Sequence, residues 1–421
     1  MVDVTAQSGD NLMENNTGNS QVSGEKSSWV DGAVVTEGKK SDLKKMTLED
    51  GSVVLNDWTV LNPGNYLLYL SQLMIYHKSS DIYFTYGEEP ALRIYGEVYR
   101  VTAAPKLEDT TLEAISGILM TEEDVAIYNK NLSCDLWFSV YGRRYRINIS
   151  RQRWHKMIVA RLLEEKILTI QELWLPEILR TLTKKTSWII FVAWPTGSWK
   201  STTLAAMIEE INTTRSCHVI TIEDPIEYVF EPKRALFEQK QLGKDIISFA
   251  SAMKYAMRQR PDVILFWETR DPESLRNAIA LAETGHLVLT TIHSRSAEQT
   301  INKIISMVPE DEQPIIKNQI SENLTAVIVQ KLMPVANWKW QVPAHEILLN
   351  NKAVENTIRE DKMNQLRNVM YTYRNTWMCL LEDDLVRLVK EWKITTETAL
   401  FNANDRNALK RELWEAWLIS M

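Results

Sequence analysis

The run Phe191-Val192-Ala193-Trp194-Pro195-Thr196-Gly197-Ser198-Trp199-Lys200-Ser201-Thr202 follows an apolar segment and leads into a helical one. With glycine at 194 and 199 it would be a complete phosphate-binding loop, Gly-Pro-Thr-Gly-Ser-Gly-Lys-Ser-Thr. Such a loop joins a strand to a helix. Its successive backbone N–H groups close around a β-phosphate, Lys200 reaches the β and γ oxygens, and the Ser201 hydroxyl binds Mg²⁺. The candidate nucleotide-binding set is therefore Pro195, Thr196, Gly197, Ser198, Trp199, Lys200, Ser201 and Thr202. Glycine is needed where the backbone meets the ligand or takes φ > 0. An indole at 199 stands in or against the phosphate space, so the loop as written is broken.

Composition offers a reason. Glycine numbers 14 in 421 residues, about half its usual ~7% share. Tryptophan numbers 15, and the pooled count restores the share expected of glycine alone. Local contexts agree. Trp338 and Trp340 lie in Asn337-Trp338-Lys339-Trp340-Gln341, a turn between two strand-like runs, and Trp392 stands where a helix would end on a glycine cap. Trp267 makes a corner between the strand Val263-Ile264-Leu265-Phe266 and Glu268. The expectation is that many of these residues are glycines specified by UGA codons. The alternative is a naturally tryptophan-rich chain. Forced overpacking costs about 1–3 kcal/mol per site, so ten sites would cost on the order of 10–30 kcal/mol against a total stability of about 5–15 kcal/mol. Trp29, Trp58, Trp137, Trp414 and Trp417 have no clear turn context and read as tryptophan.

At 421 residues the chain holds two or three domains, and 45% hydrophobic content supplies a full core. Net charge −7 with no basic stripe argues against a nucleic-acid partner. Cys134, Cys217 and Cys379 are isolated, which gives neither a disulfide framework nor a zinc site. No apolar run approaches membrane-spanning length, so direct membrane insertion is not expected and a cytoplasmic location is.

Residues 1–58 read as a disordered tail rich in Ser, Asn, Thr and Gly. Residues 59–155 alternate helical and strand-like runs, a small α+β domain. Residues 156–182 are expected to be linker helices. Across 183–350 strands and helices alternate, the signature of an α/β core with a parallel sheet, and 351–421 read as a helical C-terminal region.

Within the core, the strand His218–Ile222 delivers Glu223-Asp224-Pro225-Ile226-Glu227 at its carboxyl end, where ligand chemistry sits in such sheets. The strand Asp262–Phe266 ends in Trp267-Glu268-Thr269-Arg270-Asp271. Glu268 can polarise a water toward a γ-phosphate, and Glu223 can hold Mg²⁺ or its waters. A third strand carries His286 and His293 at its two ends, each a candidate γ-phosphate or carboxylate partner. Taken singly, a strand-end Glu is more often a solvated cap and a lone His a structural residue. Their order after a phosphate loop favours function.

These segments together resemble the Asp box (Thr221 to Glu227), the Walker B box (Arg260 to Asp271) and the His box (Ala282 to His293) of the type II/IV secretion-type ATPases. The match is closest to the PilT-type twitching-motility ATPases that retract type IV pili, and it covers residues about 61 to 410. In that pattern family glycines fall at 154, 174, 188, 194, 199, 267, 338, 340, 377 and 392, each a Trp here. The resemblance implies a RecA-like P-loop core preceded by a PAS-like α+β domain, and a homohexamer in which that domain packs on the neighbouring core. It implies ATP and Mg²⁺ as ligands and an inner-membrane pilus platform protein as partner, with the ring peripheral at the membrane's inner face. The segment Arg144-Tyr145-Arg146-Ile147-Asn148 matches one whose arginines act on the neighbour's nucleotide, which makes Arg144 and Arg146 candidates in trans.

The expected chemistry is ATP hydrolysis with Glu268 polarising water, Ser201 and Glu223 on Mg²⁺, and Lys200 on the phosphates. Retraction is favoured over a PilU-like accessory or secretion role because the four-cysteine zinc module of extension ATPases is missing, and because Ala353-Val354-Glu355-Asn356-Thr357-Ile358-Arg359-Glu360 resembles the C-terminal segment of retraction ATPases. A catalytically dead nucleotide-sensing scaffold follows instead if Trp194 and Trp199 are genuine. A DNA-translocating motor is the third reading, disfavoured by the acidic balance.

Overall fold

The computed structural model describes residues 46–47, 53–54, 71, 74–94, 97–101, 104–140, 143–163, 166–193, 200–335 and 341–418. Most of the expected N-terminal tail, the loop 194–199 and the turn 336–340 fall outside them. Within the tail, β1 (Met46–Thr47) pairs antiparallel with β2 (Val53–Val54), a short element that the reading of 1–58 as structureless did not contain.

The α+β domain is a six-stranded antiparallel sheet. Its strands are β3 (Asp81–Thr85), β4 (Ala91–Ile94), β5 (Glu97–Arg100), β6 (Ser133–Val140), β7 (Arg143–Gln152) and β8 (His155–Leu162). Their order is β5-β4-β3-β8-β7-β6. Alternation does the work: Tyr145, Ile147 and Ile149 of β7 enter the core, while Arg144, Arg146 and Asn148 between them face outward. Helices α1 (Asp109–Leu119) and α2 (Glu122–Asn131) lie between β5 and β6 in the chain, and α1 gives Leu112 and Ile115 to the same core. A capping box starts α2, with the Asp124 N–H donating to Thr121 Oγ1 and the Thr121 N–H donating to Asp124 Oδ2. Only Asp124 and Tyr128 of α2 are buried, which is why its pattern carried no helical stripe to read.

The expected linker helices over 156–182 are corrected. His155–Leu162 is the strand β8, hydrogen-bonded to β3 on one side and β7 on the other, with Ile158 and Ala160 in the core. Its alternation has period two, and flanking strands on both sides fix that choice over a helix. Among the described residues of this stretch, only α3 (Ile178–Thr183) is helical.

The core unit runs β9 (Trp188–Ala193), α4 (Lys200–Thr214), β10 (His218–Glu223), β11 (Leu236–Gln241), α5 (Phe249–Ala256), β12 (Val263–Phe266), α6 (Pro272–Glu283), β13 (Leu287–Ile292), α7 (Ala297–Ser306), α8 (Gln313–Asn323), β14 (Leu324–Pro334) and β15 (Gln341–Leu349). The sheet order is β11-β10-β12-β13-β9-β14-β15, parallel throughout except for the β14–β15 pair. Both faces are covered. Ile189, Phe191 and Ala193 pack in one layer with Leu275, Ala278 and Ile279 of α6, while Ile190 and Val192 pack in the other with Leu204, Met207 and Ile211 of α4. This explains why these strands read as unbroken apolar runs. Helices α9 (Lys352–Arg359), α10 (Leu366–Thr372), α11 (Leu381–Lys390), α12 (Thr396–Asn402) and α13 (Arg406–Leu418) complete the described chain as a helical C-terminal region.

Candidate active site

Because β9, β10, β12 and β13 are parallel neighbours, their carboxyl ends form one edge. The register levels them, with Ile222 opposite Phe266, Phe266 opposite Thr290, and Ile292 opposite Ala193. At that edge Glu223 ends β10, Glu268 follows β12, and His293 follows β13. The segment 194–199 leaves β9 at the same edge and the chain re-enters at Lys200, the first residue of α4. The candidates Trp194, Pro195, Thr196, Gly197, Ser198 and Trp199 lie outside the described residues, as does the Lys200 side chain.

The backbone aims Glu268. The Trp267 N–H donates to the Ile222 carbonyl at 2.9 Å, the Trp267 carbonyl accepts from Thr291 Oγ1, and the Thr269 N–H donates to the Thr291 carbonyl at 2.9 Å. The corner after β12 is thereby stitched to the strands on both sides. The Glu268 side chain accepts from Arg270 Nε at 2.8 Å on one oxygen and stands 3.3 Å from His293 Nε2 on the other. Lys303 in turn donates to the His293 carbonyl at 2.9 Å.

Glu223 is 3% exposed. It accepts from Thr221 Oγ1 at 2.6 Å and Gln239 Nε2 at 3.2 Å, yet burial outweighs these bonds and pushes its carboxyl up to about 7. A cation beside it would draw that value back down. Ser201 lies in the first turn of α4, and its hydroxyl and the Glu223 carboxylate are both of the hard oxygen type that Mg²⁺ takes. The same turn is anchored twice: Thr203 Oγ1 donates to Gln330 Oε1 of β14 at 2.8 Å, and Thr202 Oγ1 lies 3.0 Å from the Tyr228 hydroxyl.

Three sequence candidates sit elsewhere. His286 precedes β13 at its amino end, about 20 Å of strand away from His293, and its Nδ1 lies 2.9 Å from the Leu281 carbonyl and 3.0 Å from Thr284 Oγ1. Opposite ends of one strand cannot serve one site, so its expected role at a γ-phosphate is withdrawn. Arg144 and Arg146 belong to β7 in the other sheet, where Arg144 lies over the Trp137 ring and Arg146 stands 3.9 Å from Asp135. Arg270, Gln239 and Tyr228 were not singled out from sequence. Only Arg270 had a signal, its place two residues after Glu268, while the other two come from segments brought in by the sheet.

Residues 70–409 match the family described as "Type II/IV secretion system protein". The chain belongs to that family. Among its relatives, a twitching motility protein of Neisseria gonorrhoeae is 36% identical over 321 residues, 76% of this chain and 86% of the relative. The type IV pilus ATPase PilU of Pseudomonas aeruginosa is likewise 36% identical, over 343 residues, 81% of this chain and 89% of the relative. The crystal structure of the pilus retraction motor PilT with bound ADP superposes with a TM-score of 0.77 at 36% identity, covering 82% of this chain and 99% of that one. For this member of the secretion family, the expected α/β core, preceding α+β unit and helical C-terminal region all hold.

Proposed function

We propose that this chain is the ATP-hydrolysing motor that retracts a type IV pilus. The observation that carries the reading is the shared carboxyl edge, where Glu268, held by Arg270 and facing His293, and the buried Glu223 stand at the strand ends beside the start of α4. Glu268 orients the attacking water and takes up its proton. Lys200 and the backbone N–H groups of 196–199 hold the phosphates, and His293 reports on the γ-phosphate through its contact with Glu268. Ser201, and Glu223 in part through water, would hold Mg²⁺, which would supply positive charge to the phosphate oxygens. In a homohexamer, Arg144 and Arg146 of one subunit reach the next subunit's nucleotide, and closure of the N-terminal sheet on that core moves an inner-membrane platform protein. The ring then works at the cytoplasmic face.

The test is hydrolysis by the chain carrying Trp194→Gly, Trp199→Gly and Trp267→Gly, with and without Glu268→Gln. Turnover in the first and its loss in the second supports the motor; no turnover in either leaves the scaffold reading. The equal identity to PilU favours a second reading, an accessory motor. Restoring twitching on its own in cells that lack both motors is the outcome expected of a retraction motor; an accessory restores it only beside a second motor.

A further inference from the structure

Ten non-glycine residues among those described take positive φ, and five of them are tryptophan: Trp154 (74°), Trp174 (54°), Trp188 (81°), Trp377 (72°) and Trp392 (57°). Only nine tryptophans fall among the described residues. Positive φ occurs in about a few per cent of non-glycine residues, mainly Asn, Asp and His, and is an outlier for a bulky side chain. More than half of the described tryptophans therefore occupy the backbone region that favours glycine.

Each corner is one that glycine builds. At the end of α11 the Lys393 N–H donates to the Leu388 carbonyl and the Trp392 N–H to the Val389 carbonyl, each at 3.0 Å. That is the bond pair of a Schellman cap, with Trp392 at its left-handed position. The same pair recurs from Leu175 to Ile170 and from Trp174 to Gln171. In the β7–β8 hairpin Gln152 pairs with His155, so Arg153 (48°) and Trp154 form a two-residue loop with both φ positive, the type I′ turn whose second position favours glycine. Trp377 follows the single turn Arg374–Thr376, and Trp188 opens β9.

The indoles do not justify the strain. Trp154 is 84% exposed and Trp392 83%, and Trp174, Trp188 and Trp377 are exposed as well. Arg151 and Lys393 lie over the rings of Trp154 and Trp174, contacts that a surface ring makes with a neighbouring cation and that leave φ unexplained. Trp137 is the internal contrast: it stands in β6 with ordinary strand geometry and its ring carries Arg144.

We infer that residues 154, 174, 188, 377 and 392 are glycine in the native protein, specified by UGA codons that its cell reads as glycine, and that the same reading restores glycine at 194 and 199 in the phosphate loop. The inference joins two independent facts, the deficit of glycine in the whole sequence and the left-handed backbone at these particular tryptophans.

The experiment reads the coding DNA and, by tandem mass spectrometry, the peptides of the protein purified from its own cells. Expected are TGA at the seven positions, peptides lighter by one indolylmethyl-for-hydrogen exchange at each, and TGG with a full indole mass at 137. TGG at these positions, or TGA with an indole in the peptide, overturns it. A recombinant comparison reads the same claim through stability: changing Trp154, Trp174, Trp188, Trp377 and Trp392 to Gly raises the thermal midpoint by roughly 5 °C or more, whereas Trp137→Gly lowers it. No rise with the five glycines counts against the proposal. These readouts use no nucleotide, so failure of the motor reading leaves them untouched.

Discussion

The two sheets of this molecule solve different problems. The core sheet is parallel in its centre, covered on both faces and buried along whole strands, with β12 and β13 buried at every residue. Its chemistry is confined to one edge, where strand ends release polar side chains. The antiparallel sheet buries alternate residues and turns an arginine-bearing face outward on β7. A buried sheet can build a water-excluding site but has no side-chain face to offer a neighbour. The half-exposed sheet has that face and no comparable edge. The ring motor proposed above would use both.

The largest effect expected from this contrast is on hydrolysis in the assembled protein, measured in the background that carries glycine at 194, 199 and 267. If Arg144 and Arg146 act in trans as proposed, replacing both with alanine lowers kcat by about 10³-fold; an unchanged rate per subunit would confine the chemistry to the core sheet. Next is Glu268→Gln in the same background, which keeps the Arg270 contact through its amide oxygen, removes the proposed base and is expected to lower turnover by about 10²-fold or more. Steady-state ATPase assays with thermal melts separate this loss from misfolding.

The third prediction concerns stability and pH. Burial holds Glu223 up to about 7, above the ordinary 4.5, so the unfolded chain gives up this proton first. Folding stability in the nucleotide-free protein is therefore lost as pH rises between about 4.5 and 7, by about 3 kcal/mol. Glu223→Gln removes that loss, making the variant more stable above pH 7 and no different below pH 4. Denaturant melts across this range check it. Glu346, buried at the N-terminus of α7 where it accepts the Ala297 N–H at 2.6 Å, is also pushed up to about 7 and keeps its own share of the slope. The smallest effects compare the sheets directly. Ile190→Val in the fully covered strand costs about 1 kcal/mol, whereas Val98→Ala on the exposed strand β5 stays within about 0.5 kcal/mol.

Legibility followed the locality of the signal. The strand–loop–helix order at 188–214, the acidic strand ends Glu223 and Glu268, and the cap position at 392 were readable because each depends on residues close together in sequence. The strand β8 was mistaken for helix because a short run with Met157, Ile158, Val159 and Ala160 fits either period until β3 and β7 flank it. His286 was misplaced for a related reason: sequence gives both ends of β13 equally, and only the parallel register with β9 and β12 says which end is the working edge.

Sequence alone determined the class of fold, the order of the catalytic segments and the shortage of glycine, since apolar periodicity, motif order and composition are properties of the chain itself. The tertiary structure decided which strand ends share an edge, that Arg270 and His293 flank Glu268, and which tryptophans stand on left-handed backbone. Those facts depend on strand register and on φ, which are set by hydrogen bonds between segments far apart in the chain or by the closing of a turn, and no residue carries them alone.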